Sequence, residues 1–207
     1  MTADAIRVVR WDRATFSARR DEVLDVYAEA MGVPPVAARA RRGIVAGHVD
    51  RRSLSVVAAV DARDALAGVA YGYIGARGQW WHDHVRAALT STLGEHAARE
   101  WLDGAFEVCE LHVRPAAQRC GLGRAMLDAL LEQAPSSAAV LTTPDAETRA
   151  RGFYRAAGWT DLVRELVFPG DPRPFAVLGL RLPPASQDPP ASQDPAASQD
   201  PPADAQP

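Results

Sequence analysis

The residues able to do chemistry in this sequence gather in two stretches. The first runs Glu107-Val-Cys-Glu-Leu-His-Val-Arg-Pro-Ala-Ala-Gln-Arg-Cys-Gly-Leu-Gly-Arg124 and holds two carboxylates, Glu107 and Glu110, before a glycine pair, Gly121 and Gly123. A carboxylate on a strand can take a proton from a nucleophile. Glycines at the start of a helical pattern let unpaired backbone N–H groups close on an anion with no side chain in between. The second stretch, Phe153-Tyr154-Arg-Ala-Ala-Gly158-Trp159, offers a phenol. With an ordinary pKa of about 10, a phenol stays protonated at neutral pH and can act as a proton donor. The glycine pair belongs to neither common nucleotide loop. The Gly-Lys-Ser/Thr ending of a P-loop is missing, and a GxGxxG fingerprint would need glycine where Met126 stands.

Three further groupings carry weaker signals. Gln79-Trp80-Trp81-His82-Asp83-His84 admits metal binding by His82, Asp83 and His84, plain packing of indoles under a helix, or aromatic walls for an acceptor pocket. No second His or Cys cluster completes a ligand set, so no metal is expected. Arg39-Ala-Arg41-Arg42 reads as a solvated helix face rather than a nucleic-acid patch, because no aromatic residues interleave with it. Cys109, on a predicted strand, reads as a small buried hydrophobe, which argues against an acyl-enzyme on that thiol.

Periodicity supplies the elements that must position these groups. Residues 5–11 alternate as a strand. Helical spacing follows over about 17–31, with Val23, Leu24, Tyr27 and Met31 on one face, and over about 35–48, with Val36, Ala40, Ile44 and Val45 inward. Two apolar runs, 54–60 and 66–74, flank Asp61-Ala-Arg-Asp64 as an antiparallel hairpin. A long insertion over 75–104 with one or two helices precedes a strand over 106–113. A helix over 121–133, a short strand over 139–142, a helix over 145–157 and strands over 161–168 and 175–182 complete the order. On strict alternation Glu107, Cys109, Leu111 and Val113 face one way and Glu110 and His112 the other, unless a bulge intervenes. The expected class is α/β of the mixed α+β kind, with about six or seven mostly antiparallel strands flanked by helices.

Composition sets the boundaries. The chain has 207 residues, 47% hydrophobic and 24% charged, as expected of a globular domain. From Pro183 onward a hexad, Ala-Ser-Gln-Asp-Pro-Pro, recurs from Ala185, Ala191 and Ala197, the middle copy ending in Ala196. Such a segment has too little apolar surface to offset ordering entropy, so the expected division is a domain over 1–182 and a disordered tail over 183–207. Without the tail's Asp188, Asp194, Asp200 and Asp204 the net charge of −3 becomes +1, which favours neither a nucleic-acid nor a membrane partner. All 23 basic residues are arginine, as in proteins of GC-rich genomes. Two cysteines make no disulfide framework, the first residues form no apolar signal core, and no run approaches bilayer length, so a cytoplasmic location is the expectation.

The segment Gln118-Arg119-Cys120-Gly121-Leu122-Gly123 after a strand, followed about thirty residues later by Phe153-Tyr154 and Gly158-Trp159, resembles the GNAT superfamily of N-acetyltransferases. The resemblance covers 106–159 closely and 5–74 by layout. It implies acetyl-CoA as co-substrate, with Gln118, Arg119, Cys120, Gly121, Leu122, Gly123 and Arg124 around the pyrophosphate and Phe153 nearby. It implies that the backbone of Leu111, His112 and Val113 meets the pantetheine arm and polarises the thioester, that Tyr154 is the general acid, and that Glu107, or else Glu110, is the base. Glu147 stands where the family often has asparagine, removing one expected pantetheine contact. The implied reaction is direct acetylation of a small-molecule or peptide amine in a ternary complex. The alternative is a non-catalytic acyl-CoA-binding sensor or scaffold. The insertion and the final hairpin are the candidate surfaces for a homodimer.

Overall fold

The computed structural model describes residues 6–183, so the repeat tail lies outside the described residues beyond Pro183. Strand β1 (Arg7–Trp11) ends at Asp12, whose carboxylate accepts from the Thr15 N–H at 2.7 Å and caps α1 (Arg13–Ala18). Helices α2 (Arg20–Met31), α3 (Pro35–Arg39) and α4 (Arg42–Val49) follow. The hairpin of β2 (Ser55–Val60) and β3 (Leu66–Ile74) turns at Asp61, which accepts from the N–H groups of Arg63 and Ala65. The insertion is α5 (Trp80–Leu93) and α6 (Glu95–Leu102). Then come β4 (Phe106–Val113), α7 (Leu122–Leu131), β5 (Ala138–Pro144), α8 (Arg149–Ala156), β6 (Thr160–Phe168) and β7 (Asp171–Arg181).

The seven strands form one sheet in the order β1-β2-β3-β4-β5-β7-β6, antiparallel everywhere except between β4 and β5. One face is covered by α7 and α8, where Met126, Leu127 and Leu130 pack on Phe106, Leu141 and Leu178. The other face carries two separate helical packs. Helices α1 to α4 lie over β2 and β3 around Phe16, Leu24, Val56 and Val69, and α5 and α6 lie over β5 to β7 around Val85, Leu89, Val140 and Val177.

Periodicity misplaces some side chains where a helix breaks and its phase restarts. The 17–31 stretch is two helices meeting at Arg19, and the 35–48 stretch divides at Ala40-Arg41. Ala38 and Val45 are therefore the buried residues of that second stretch, while Val36 is 78% and Ile44 52% exposed. Met31 also stays outside. Helix α8 starts at Arg149 rather than 145, because the Asp145 N–H bonds Pro174 O and Thr148 is the cap, its hydroxyl accepting from the Arg151 N–H. The final turn is only Pro169-Gly170, and β7 begins at Asp171.

Candidate active site

The sheet opens where its single parallel pair fails. Strands β4 and β5 share only the pairings Phe106 with Ala139 and Glu107 with Val140, whereas β3 stays paired to β4 as far as Val113. One edge of β4 is thus open from Val108 onward. The Arg114 N–H bonds Ala67 O on the β3 side, and backbone groups alternate along a strand. The N–H groups of Leu111 and Val113 therefore point to the open edge, and that of His112 to β3. The Val113 carbonyl, on the same open side, accepts from Gln118 Nε2 at 2.9 Å, which folds the following loop back against the strand.

That loop ends at the start of α7. Arg119 and Gly121 both have positive φ, 66° and 82°, so the chain turns sharply into the helix, a conformation that suits Gly121 and strains Arg119. Among the described residues no protein acceptor is found for the backbone N–H groups of Arg119, Cys120, Gly121, Leu122 and Gly123. A side chain at Gly121 would meet open space, and one at Gly123 would just reach Phe153 and Val113 at 4.0 Å. Loop, strand end and α8 thus converge on one concavity lined by N–H groups, the arrangement a pyrophosphate requires. Arg124 is tied to Asp128 one turn along the helix. Glu147 is largely exposed and faces Arg155.

A β-bulge decides which carboxylates share a cavity. Tyr71 pairs with Glu110 and Gly72 with Val108, leaving Cys109 as the extra residue. The bulge overturns strict alternation: Glu107, Cys109, Glu110 and His112 lie on the face of α2 and α4, and Val108, Leu111 and Val113 pack toward α7. Glu107, Cys109 and Glu110 therefore line one cavity of about 540 Å³, between the two helical packs and above the opening in the sheet. Arg41, Ile44, His48 and Arg51 bound it on one side, Gln79, Trp80 and Trp81 on the other, with Tyr73 and Thr142 between.

The two carboxylates differ in chemistry. Glu110 accepts from Arg41 Nη2 at 2.5 Å and lies 2.5 Å from His112 Nε2. Burial alone would raise its pKa, but the imidazole and the guanidinium outweigh burial and hold the carboxyl below the usual range. Glu107 is 3% exposed, with Oε1 2.7 Å from Nδ1 of the equally buried His82. Burial pushes its carboxyl upward, a shift the His82 contact only partly offsets. Gly75 makes this pair possible, since a Cβ there would stand 1.8 Å from Glu107 Oε1 and 2.8 Å from His82 Nδ1. Glu110 is held as an anion by its two partners, whereas Glu107 is the carboxylate whose proton affinity burial raises. The Cys109 thiol is pushed up by burial, consistent with an unreactive residue.

Tyr154 sits on α8, half-buried, its ring 5.1 Å from that of Phe153 and 5.7 Å from that of Trp159. Desolvation, and then the charge of Glu110, push its phenol up, so it stays protonated at any physiological pH. One turn earlier the fully buried Arg151 bonds Asp145 at 2.5 Å and Asp161 at 2.7 Å, fixing α8 to the ends of β5 and β6.

Several contributors escape sequence reasoning. His82 is the partner of Glu107, while Asp83 accepts from the Gly78 N–H and His84 meets Trp80 O, so these three side chains point apart. Among the described residues no group of three or more His, Cys, Asp or Glu is placed to hold a metal ion. Arg39 and Arg42 do pair with surface carboxylates, but Arg41 turns inward over the Tyr27 ring to reach Glu110. Trp80 and Trp81 line the cavity, and the Trp81 indole donates to Thr142 Oγ1 at 3.0 Å. The sequence offered Trp80 and Trp81 as the pocket walls they form, but His82 only as a candidate metal ligand and Gly75 only as the first residue of the insertion. Among the described residues no helix is long and apolar enough to cross a membrane.

A mixed sheet parted beside a helix-start anion site, with a buried carboxylate in the cavity beyond, is the architecture of an acyl-group transferase. Residues 20–159 match the model of the acetyltransferase (GNAT) family. The GCN5-like protein acetyltransferase of Mycobacterium tuberculosis is 36% identical over 190 residues, covering 80% of this chain and 92% of that protein. The chain belongs to the GNAT acetyltransferase family and is an acyltransferase. Among solved structures, a GNAT-family protein from Desulfovibrio desulfuricans superposes with a TM-score of 0.60 at 17% identity, over 86% of this chain and 99% of that one. The YncA protein of Salmonella typhimurium, solved with its cofactor acetyl-CoA, gives 0.55 at 16% identity over 95% and 98%. These two likenesses are of fold.

Proposed function

We propose that this protein transfers the acetyl group of acetyl-CoA to a primary amine by direct attack within a ternary complex. The observation that carries the reading is continuity: the open edge of β4 runs from the unpaired N–H groups at 119–123 to the cavity that holds Glu107. A pyrophosphate fits the N–H groups of Arg119 to Gly123, with Gln118 and Arg124 flanking them, and a peptide-like arm fits the unpaired groups of Leu111 and Val113. Phe153 would pack against that arm beside Gly123. His112 would contribute position rather than an N–H, its side chain holding Glu110. Acetyl-CoA supplies an activated thioester carbonyl.

The residues of this chain then divide the work. An N–H of Leu111 or Val113 polarises the carbonyl oxygen. Glu107 takes a proton from the attacking amine as the N–C bond forms, and Tyr154 gives its proton to the sulfur as the C–S bond breaks. His82 holds the Glu107 carboxylate in place. The balance is one amide, one thiol and no net change in protons beyond the amine's own ionisation. A continuous assay of thiol release across a panel of amines tests this. Turnover is expected, with Tyr154→Phe slowing it while acetyl-CoA still raises the melting temperature. A thermal shift with no turnover of any amine would instead mark a binding module.

A further inference from the structure

The acceptor cavity carries a charge that its own walls do not answer. Of its two arginines, Arg41 is paired with Glu110. Arg51 has no carboxylate within ion-pair distance among the described residues, and its Nε is buried without a hydrogen-bond partner. Its guanidinium lies 5.7 Å from the Tyr73 ring centroid. The backbone that presents it is fixed at both ends: the Arg51 N–H bonds His48 O, and the Arg13 guanidinium donates to the carbonyls of Val49 and Arg51 at 2.7 Å each. Across the cavity Gln79 Oε1 is also buried and unpartnered. Buried polar groups normally find partners in a folded protein, so two orphans facing one cavity mark where a ligand's polar groups belong.

We infer, building on the transfer reaction above, that the acceptor is an amine with a carboxylate near its amino group, an amino acid rather than a polyamine, held through that carboxylate by Arg51. Charge selects this class. Glu110 is neutralised by Arg41, and burial holds the His48 imidazole toward its neutral form. Among the described residues that line the cavity, what remains is one free cation, Arg51, and one carboxylate, Glu107, close enough for the guanidinium to influence the Glu107 proton. A zwitterion matches that pair, its amine toward Glu107 and Gln79 and its carboxylate on the Arg51 fork. A polycation would meet Arg51 with no second free anion. A phosphate dianion would face the Glu107 carboxylate with only the Arg51 charge to balance two of its own.

The test compares three arms in the thiol-release assay: α-amino acids, the amines left by their decarboxylation, and a lysine-containing peptide with blocked termini. At least one amino acid should exceed its decarboxylated counterpart in kcat/KM by about 10- to 100-fold, the worth of a hydrogen-bonded charge pair. Arg51→Gln should collapse that ratio toward one, chiefly through KM, and Arg51→Lys should keep part of it. Acetyl-CoA should still raise the melting temperature of both variants, which establishes that they fold. Equal or better use of decarboxylated amines, or preferred use of the peptide with its rate unmoved in Arg51→Gln, overturns the inference and leaves the transferase reading standing. No turnover in any arm overturns both.

Discussion

The two sides of the opening between β4 and β5 are built from different material. Toward α7 the surface is backbone: N–H groups from Arg119 to Gly123 and the bare edge of β4, with glycine where a side chain would intrude. Toward α4 and α5 it is side chain: Glu107 on His82, Glu110 between Arg41 and His112, and Arg51 Nε and Gln79 Oε1 without a hydrogen-bond partner among the described residues. A backbone site can serve a cofactor that never varies. A side-chain site can be rewritten for a new acceptor without disturbing the other.

If that division holds, substitutions on one side leave the other side's measurement intact. The largest effect is expected from Glu107→Gln, which should lower kcat/KM by about 10²- to 10⁴-fold, the usual worth of a general base, with the acetyl-CoA thermal shift preserved. Loss of that shift in the same variant would mean the two sides are one unit.

Arg151 belongs to neither side but holds α8 beneath both. Arg151→Met removes the buried guanidinium that joins Asp145 to Asp161, leaving Asp145 with Arg164 and the Glu165 N–H, and should cost about 1.5–3 kcal/mol in chemical denaturation. A loss under 1 kcal/mol would show that α8 is held by its packing alone. Gly121→Glu puts a charged side chain at positive φ in the anion site. It should abolish the stabilisation by acetyl-CoA, about 2.7 kcal/mol at a hundredfold excess over Kd, while a persistent shift would move the pyrophosphate elsewhere.

The smallest effect is a displacement in pH. Glu107 must be ionised to act, so kcat/KM rises as pH passes through a pKa that burial has lifted above the ordinary carboxylate range. The His82 contact lowers that pKa, so His82→Gln should move the acid limb to higher pH, measured with one acceptor so that the amine's own titration cancels. A limb that stays put or moves down disproves the pairing.

The same division explains what the sequence disclosed. Strand β4 was legible to its end residues, and the glycine pair after it pointed to an anion site, because both depend on local pattern. The mixed sheet followed from the order of periodic segments. Of the side-chain cavity only pieces were legible, Glu107, Glu110 and the Trp80-Trp81 wall, and not the pairs that set their chemistry. His82 and Glu107 are 25 positions apart, Arg41 and Glu110 are 69, and nothing local in Arg39-Ala-Arg-Arg42 says which arginine turns inward. The helix break at Ala40-Arg41 misled in the same way: it resets the phase that periodicity assumes to be continuous, which put Val36 and Ile44 in the core when Val36 faces outward and Ile44, half exposed, borders the cavity.

The bulge at Cys109 gives strand length a meaning that residue identity does not have. Pairing the present chain without the extra residue would restore simple alternation and turn one of these carboxylates to the α7 face, with every chemical group in the active site still present in the chain. Deleting one residue between Glu107 and Glu110 would instead absorb the bulge and leave the two carboxylates two positions apart on one face. Along this strand the three-residue spacing and the extra residue work only as a pair.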